Sequence, residues 1–168
     1  MGAKLLGWRY CDAMDSREIR VLDIDRFVPA LVTFLANRLT ATGSASFRSQ
    51  LDMNILDFRI LAMLAIEPGI PASRIVQVIG LDKALVSRTL AALGRRGWVR
   101  SEKDPTHGRR RLVSLTEAGM RMHDRALALA LEREALLLEP LETDEREQLV
   151  TLLHKMLART EAVAKACV

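Results

Sequence analysis

The chain of 168 residues carries 25 Lys and Arg against 21 Asp and Glu, a formal charge of +4 at pH 7. Hydrophobic residues make up 49% and charged residues 27%, which argues against a disordered chain, and the length indicates one folded domain, alone or with an extension. Aromatic residues are only 4%, so the composition favours helices over a β-sandwich or barrel.

Membrane, secretory and metal signals are weak in this sequence. No apolar run reaches the roughly 18 to 20 residues of a membrane span, and the first 15 residues lack the apolar core and cleavage site of a secretory signal. We therefore expect a cytoplasmic protein with no membrane partner. Cys11 and Cys167 lie near opposite ends, and three scattered histidines show no metal-ligand spacing. Neither a metal nor another cofactor is expected.

Two helices are predicted in the first third of the chain. Apolar residues at helical spacing start at Ile24, and this helix is predicted to end near Gly43, with GSAS as a loop. Asn54 followed by Asp57 is a variant of the capping box and predicts the start of a second helix. The sequence EPG predicts its end.

Two short helices are predicted next, joined by a turn that contains glycine. Pro71 suits the first turn of one helix, Gly80 its end, and Asp82 the N-cap of the other. This arrangement is typical of a helix-turn-helix, although it also occurs at plain bundle corners. The side chains of this last helix predicted to face the core are Leu85, Leu90 and Leu93.

A small hairpin and two more helices are predicted in the last third. WVRSE and RRLVSL have partly alternating character, and the turn formers KDPTHG separate them. Thr116 is predicted to begin a long helix to about Leu138, and Thr143 to cap a last helix beyond Pro140. An apolar stripe of that helix, more often part of a chain's own core, contains Leu149, Leu152, Leu153, Met156 and Leu157.

The basic residues are unevenly distributed. The segment 82–111 contains nine Lys and Arg but three Asp and Glu, a net charge of +6, so the rest of the chain sums to −2. A local basic patch on a nearly neutral body is typical of a protein that binds the phosphate backbone of nucleic acid. A solvated basic face, or a helical adaptor that binds an acidic protein, remains the alternative.

Three stretches resemble the MarR family of winged helix-turn-helix regulators: MNILDFRILAML, IGLDKALVSRTLAALGRRGWV and DPTHGRRRLVSLTEAG. They occur in the family's order over about residues 24–160. The resemblance implies a mainly α fold with a small β-hairpin wing and dimerisation helices at both ends. The implied parts are an N-terminal extension (1–20), a dimerisation helix (21–48), a winged-helix DNA-binding lobe (52–120), and a linker helix with a C-terminal dimerisation helix (116–164).

The resemblance also implies which side chains meet DNA. The second short helix would enter a major groove, where Arg88 can bond guanine for ~1–3 kcal/mol of discrimination. Arg109 at the hairpin tip would enter the minor groove, and one neighbouring arginine would meet phosphate or solvent. The implied DNA contacts are Lys83, Ala84, Ser87, Arg88, Arg109, Arg110 and Arg111.

One position departs from the family's wing. The family commonly has an acid two residues before the tip arginine, where this chain has His107. An acid there helps to hold the arginine, and Asp104 is the candidate to replace it.

The resemblance implies a homodimer that binds double-stranded DNA at a pseudo-palindromic operator, most simply as a repressor. Activation of transcription remains the alternative to repression. A small, aromatic acid would bind between the lobes and release the DNA. Candidate effector residues are Arg20, Arg38, Arg59, Asp104 and His107.

Two other functions have less support in the sequence. Redox sensing through Cys11 is opposed by the neighbouring Asp12, which disfavours a thiolate. The sequence has no phosphate-binding glycine loop, nucleophile elbow or HExxH motif, so we expect no enzyme.

Overall fold

Six helices and three short strands form the described part of the computed structural model, residues 22–108 and 110–166. The mainly helical fold class with a small antiparallel sheet is confirmed. Two compact units divide at Asp57 and Phe58. In chain order the elements are α1 (Val28–Leu51), α2 (Ile55–Ile66), β1 (Ile70–Pro71), α3 (Ala72–Ile79), α4 (Lys83–Arg95), β2 (Val99–Lys103), β3 (Arg111–Leu115), α5 (Glu117–Leu138) and α6 (Thr143–Ala166).

The first helix continues past the predicted end. α1 has 24 residues and includes Gly43, which is buried within it, so the predicted stop near Gly43 was wrong. A glycine inside a helix costs about 1 kcal/mol relative to alanine, which weakens a helix but does not end it. The helix ends at Asp52, whose backbone is left-handed and whose N–H bonds to the carbonyls of Arg48 and Phe47.

The predicted capping box at the start of α2 is confirmed. Asn54 Oδ1 accepts the backbone N–H groups of Leu56 (2.8 Å) and Asp57 (2.9 Å). The Asp57 carboxylate in turn accepts the backbone N–H of Asn54 at 2.9 Å. These reciprocal bonds satisfy N–H groups that a helix start otherwise leaves without partners.

The two short helices form where they were predicted, with Pro71, Gly80 and Asp82 at their ends. Pro71 immediately precedes α3, and Gly80 ends it in the left-handed conformation (φ 70°) with its N–H on the Val76 carbonyl. Asp82 caps α4 by accepting the backbone N–H of Leu85 at 2.9 Å. The sequence thus contained the signals that separate α3 from α4.

The inward face of α4 differs from the predicted one. Leu85 is exposed, whereas Val86, Thr89 and Leu93 are buried, so the assignment of Leu85 to the core was wrong. Leu90 is half-buried. A count of apolar residues overlooked Thr89, whose hydroxyl can be buried because it donates to the Leu85 carbonyl at 3.0 Å.

The predicted hairpin is confirmed, and a third strand joins it. β2 and β3 are antiparallel, with Val99 opposite Leu115. β1 pairs with the other edge of β3, where Ile70 lies opposite Val113, in the order β1-β3-β2. A two-residue strand is too short for a periodic signal, which is why the sequence did not predict β1.

A close backbone approach fixes the start of α5. Thr116, where the helix was predicted to begin, is its N-cap: the Thr116 Oγ1 accepts the Gly119 N–H at 3.0 Å and donates to the Gly97 carbonyl at 2.6 Å. The Thr116 N–H bonds to the Trp98 carbonyl at 3.0 Å. A methyl group on Gly119 would overlap that same carbonyl oxygen. Only glycine therefore fits the first turn of α5 at this distance from Trp98.

The last helix begins one residue earlier than predicted and exposes its apolar stripe. Thr143 is the first residue of α6 and not its cap, because Glu145 bonds the N–H of the preceding Glu142 at 2.9 Å. No residue of α6 is buried in the single chain. The stripe from Leu149 to Leu157 is 37 to 65% exposed, so the commoner alternative, a stripe packed into the core of the same chain, does not hold. No described helix is long and apolar enough to cross a membrane.

We predict that Gly119→Ala lowers the free energy of unfolding by at least about 2 kcal/mol, because the overlap is with backbone that cannot rotate away. Urea unfolding at one fixed protein concentration measures this loss. Gly94→Ala is the matched control: nothing lies within 4 Å of a methyl group there, and alanine favours the helix by up to about 1 kcal/mol. Equal midpoints for the two variants would contradict the close approach.

Candidate nucleic-acid interface

The outer face of α4 carries the residues that the sequence assigned to DNA. Lys83, Ala84, Ser87 and Arg88 are all exposed. Residues two apart lie on nearly opposite sides of a helix, so Arg88 points away from the buried Val86. α4 therefore presents small and basic side chains on the side opposite its core contacts.

The wing contributes further basic side chains. Arg110 is exposed in the turn, and the Arg111 side chain lies across β2, where it donates to Ser101 Oγ from Nε (2.9 Å) and to the Ser101 carbonyl from Nη2 (2.6 Å). These bonds fix the direction of the Arg111 guanidinium along the hairpin. Arg109 lies outside the described residues.

Asp104 holds the turn at the wing tip. The residue is buried, and its Oδ1 accepts the Thr106 hydroxyl (2.6 Å) and the backbone N–H groups of Thr106 (2.8 Å) and His107 (3.2 Å). The Thr106 hydroxyl, followed by its N–H, holds the pKa of the Asp104 carboxyl below its ordinary value. Asp104 is thus ionised and committed to the turn, while the His107 side chain is exposed.

The acids of the basic segment all have partners within it. Asp82 caps α4, Glu102 pairs with Arg100 at 3.0 Å, and Asp104 closes the wing turn. The segment 82–111 therefore has a net charge of +6, and each of its three acids already forms a hydrogen bond or an ion pair within the segment.

A groove between α2 and α3 contains one candidate effector residue. It encloses about 420 Å³, and Arg59 lines it. Arg38 is exposed on α1, Asp104 and His107 belong to the wing turn, and Arg20 lies outside the described residues. The groove is lined by Phe58, Arg59, Ala62, Met63, Ile66, Glu67, Arg74, Val78 and Ile79.

An ion pair that the sequence did not reveal joins the two sides of this groove. Arg74 on α3 donates to both carboxylate oxygens of Glu67, at 2.9 and 3.1 Å. The hydrogen bond lowers the pKa of Glu67 and raises that of Arg74. The two residues lie beyond one helical turn and on either side of β1, so no helical spacing could have predicted the pair. Ser101 was also missed, although the strand register places it diagonally across from Arg111.

Metal and thiol chemistry receive no support from the described residues. His123 stacks on Phe58 with ring centroids 6.4 Å apart, and its Nδ1 lies 3.1 Å from Asp124. The ranges 22–108 and 110–166 contain no group of three or more metal-ligating side chains. Cys11 and Cys167 lie outside those ranges.

Two short helices, the second with a small and basic outer face, are followed directly by the β2–β3 hairpin, which has a basic tip and completes a three-stranded sheet with β1. This arrangement defines a winged helix-turn-helix. The family model that matches the chain describes the MarR family and covers residues 51–110. A MarR/EmrR-family transcriptional regulator from Acinetobacter sp. ADP1 has 30% sequence identity and a TM-score of 0.78, over 84% of this chain and 99% of that one. The chain therefore belongs to the MarR family and is a DNA-binding transcriptional regulator.

Other relatives agree with this assignment. The transcriptional regulator HosA of Escherichia coli O111:H- is 29% identical over 106 residues, which are 63% of this chain and 78% of HosA. PcaV from Streptomyces coelicolor, solved with its natural ligand, has 25% identity and a TM-score of 0.69 over 83% of this chain and 98% of that one. A MarR mutant from E. coli, solved with operator DNA, shares the fold at 24% identity and a TM-score of 0.70, over 77% of this chain and 93% of that one.

Membership of the MarR family decides between the functional alternatives that the sequence left open. Its matching members are transcriptional regulators and not enzymes. The alternative of a helical adaptor that does not bind DNA was wrong for the same reason.

Proposed function

We propose that this chain is a homodimeric repressor that binds a pseudo-palindromic operator and is released from it by a small aromatic acid. The observation that carries the proposal is the combination of a basic wing and an exposed basic face of α4 with apolar helices that the single chain leaves uncovered.

The DNA contacts are proposed from the exposed residues of α4 and the wing. Arg88 reads a guanine in the major groove, while Lys83 and Ser87 hold phosphates and Ala84 allows close approach. Arg110 contacts the phosphate backbone of the DNA beside the wing. Arg109 is proposed as the minor-groove contact from the family resemblance alone, and Arg111 supports the wing through Ser101.

We predict that Arg88→Ala weakens binding to the operator by about 1–3 kcal/mol and has a small effect on a scrambled duplex, because base contacts specify and phosphate contacts do not. Arg110→Ala weakens both duplexes alike and lowers the slope of log affinity against log salt by about 1. Fluorescence anisotropy across a salt series, first on the duplex upstream of the chain's own gene, measures both effects.

The control for these variants is Arg125→Ala, which removes one exposed positive charge from α5 outside the basic segment. It should change neither the preference nor the salt slope. A loss of preference in Arg125→Ala as large as in Arg88→Ala would remove α4 as the reading helix.

The dimer is proposed from the uncovered apolar faces. One winged lobe contacts few base pairs, whereas two lobes related by a two-fold axis read both halves of a palindrome. Large apolar side chains are exposed along α1, along α5 and along α6, and contiguous exposed apolar surface of this kind marks a protein–protein interface. On α6 they follow one stripe, which includes Leu149, Leu153 and Met156.

We predict that Leu153→Glu converts the dimer to a monomer at micromolar concentration, because the charge would have to be buried in the apolar interface. Analytical ultracentrifugation measures the mass. Thr151→Glu adds the same charge on the opposite side of α6 and should leave the dimer intact. If both variants sediment as the wild type does, α6 lies outside the interface.

The effector site is proposed in the groove between α2 and α3. Its lining is mainly apolar around the Phe58 ring, and Arg59 and Arg74 are its cationic side chains. An aromatic carboxylate there would compete with Glu67 for Arg74, the residue that ties α3 to the end of α2. A ligand that binds better when this pair is open would shift the position of the helix-turn-helix and weaken DNA binding.

We predict that Ala62→Leu, which fills the groove, leaves operator affinity unchanged but raises the acid concentration for half-release at least about tenfold. Benzoate and its hydroxylated derivatives are titrated into the preformed DNA complex. Ala65→Leu, an exposed position of α2 outside the groove, is the control and should respond as the wild type does. Equal release of both variants would place the effector elsewhere, and no release of the wild type would contradict an aromatic-acid effector.

A further inference from the structure

An acidic side chain lies inside the most basic segment of the chain. Asp104 directly follows Lys103 at the start of the wing turn, in a segment whose net charge is +6. On charge alone, an acid beside the DNA phosphates should weaken binding. Yet the carboxylate is buried and its charge is met by hydrogen bonds. The position therefore calls for a structural reason.

The wing turn is closed from two directions. The Asp104 carboxylate gathers the Thr106 hydroxyl and the N–H groups of Thr106 and His107. The backbone N–H of Asp104 donates to the Arg110 carbonyl at 2.9 Å, and the Arg110 N–H donates to the His107 carbonyl at 2.7 Å. The Asp104 side chain thus holds the first half of the turn, and the Asp104 backbone N–H holds the end of the turn at the exposed Arg110.

We propose that Asp104 is a positioning residue for DNA recognition: by holding the wing turn closed, it sets the direction in which Arg110 meets the operator. This inference rests on the proposed operator binding. It assigns to Asp104 a role in specific affinity that acts through Arg110 and the rest of the tip, without contact to DNA.

The physical reason is the conformational entropy of the turn. A turn that is closed in the free protein loses its freedom on folding, so binding need not order it again. The opposing repulsion between the carboxylate and phosphates is screened beyond roughly 8 Å at physiological ionic strength. Order in the turn is not screened by salt, so positioning outweighs repulsion for the specific complex.

Non-specific binding follows the opposite rule. It depends on the count of charges near the phosphates and tolerates many orientations of the wing. Loss of the Asp104 carboxylate should therefore strengthen binding to a random duplex and weaken binding to the operator. Simple charge removal predicts tighter binding to both duplexes.

The test compares Asp104→Ala with Glu102→Ala. Both remove one acid from the wing, but Glu102 is exposed, pairs with Arg100 and takes no part in the turn. Affinities for an operator selected from genomic fragments and for its scrambled form are measured by anisotropy across a salt series. Hydrogen exchange of the Thr106, His107 and Arg110 amides in the free protein reports the order of the turn.

We expect Glu102→Ala to bind both duplexes as tightly as the wild type or more tightly. Asp104→Ala should bind the scrambled duplex in the same way but lose about tenfold or more on the operator, with faster exchange of the Thr106 and His107 amides. Asp104→Asn keeps a side-chain oxygen that caps turns nearly as well, and should restore most of the operator affinity. Thr106→Val removes the hydroxyl that donates the 2.6 Å bond, so its operator affinity should lie between those of Asp104→Ala and Asp104→Asn. This variant replaces Asp104→Ala if Asp104→Ala does not fold.

Two results would overturn the inference. If Asp104→Ala binds the operator as tightly as Glu102→Ala does, the carboxylate has no positioning role, although the wild type still discriminates and the proposed function stands. If the wild type itself shows no preference for any selected duplex, the proposed operator binding fails and the role of Asp104 fails with it.

Discussion

The junction between Trp98 and the first turn of α5 determines the geometry of the winged lobe. α4 ends at Arg95, Gly97 just beyond it is in the left-handed conformation, and the Trp98 N–H donates to the Leu93 carbonyl. Thr116 bonds to the Gly97 and Trp98 carbonyls, and Gly119 lets α5 lie against them. Because β2 starts at the next residue, this contact sets the end of α4, the base of the wing and the start of α5 together.

The wing is stiffened from that base to its tip by side chains that a charge map would assign to solvent. Arg111 bridges to Ser101 across the hairpin, and Asp104 closes the turn. Both residues lie in the basic segment, yet the hydrogen bonds of each stabilise the fold of the wing. A basic surface can thus contain charged residues whose function is to orient the others.

The proposed dimer and effector site both depend on surfaces that the single chain leaves partly exposed. No residue of α6 is buried in the single chain, and the groove between α2 and α3 is crossed by an ion pair of which both members are about 40% exposed. In the proposed function, the first surface binds a second copy, and the second gives a ligand a charged partner, Arg74, that is already paired with Glu67.

The sequence by itself determined the element order, because caps and breakers act locally: Asn54 with Asp57, Gly80, Asp82 and Thr116 each act within a few residues. It also located the basic segment, since charge can be counted without a fold. Only the tertiary structure decided that α1 continues through Gly43, that Thr89 and not Leu85 faces the core, and which partners Asp104 and Arg74 take. Those outcomes depend on packing and on contacts between different elements, and neither leaves a periodic signal in the chain.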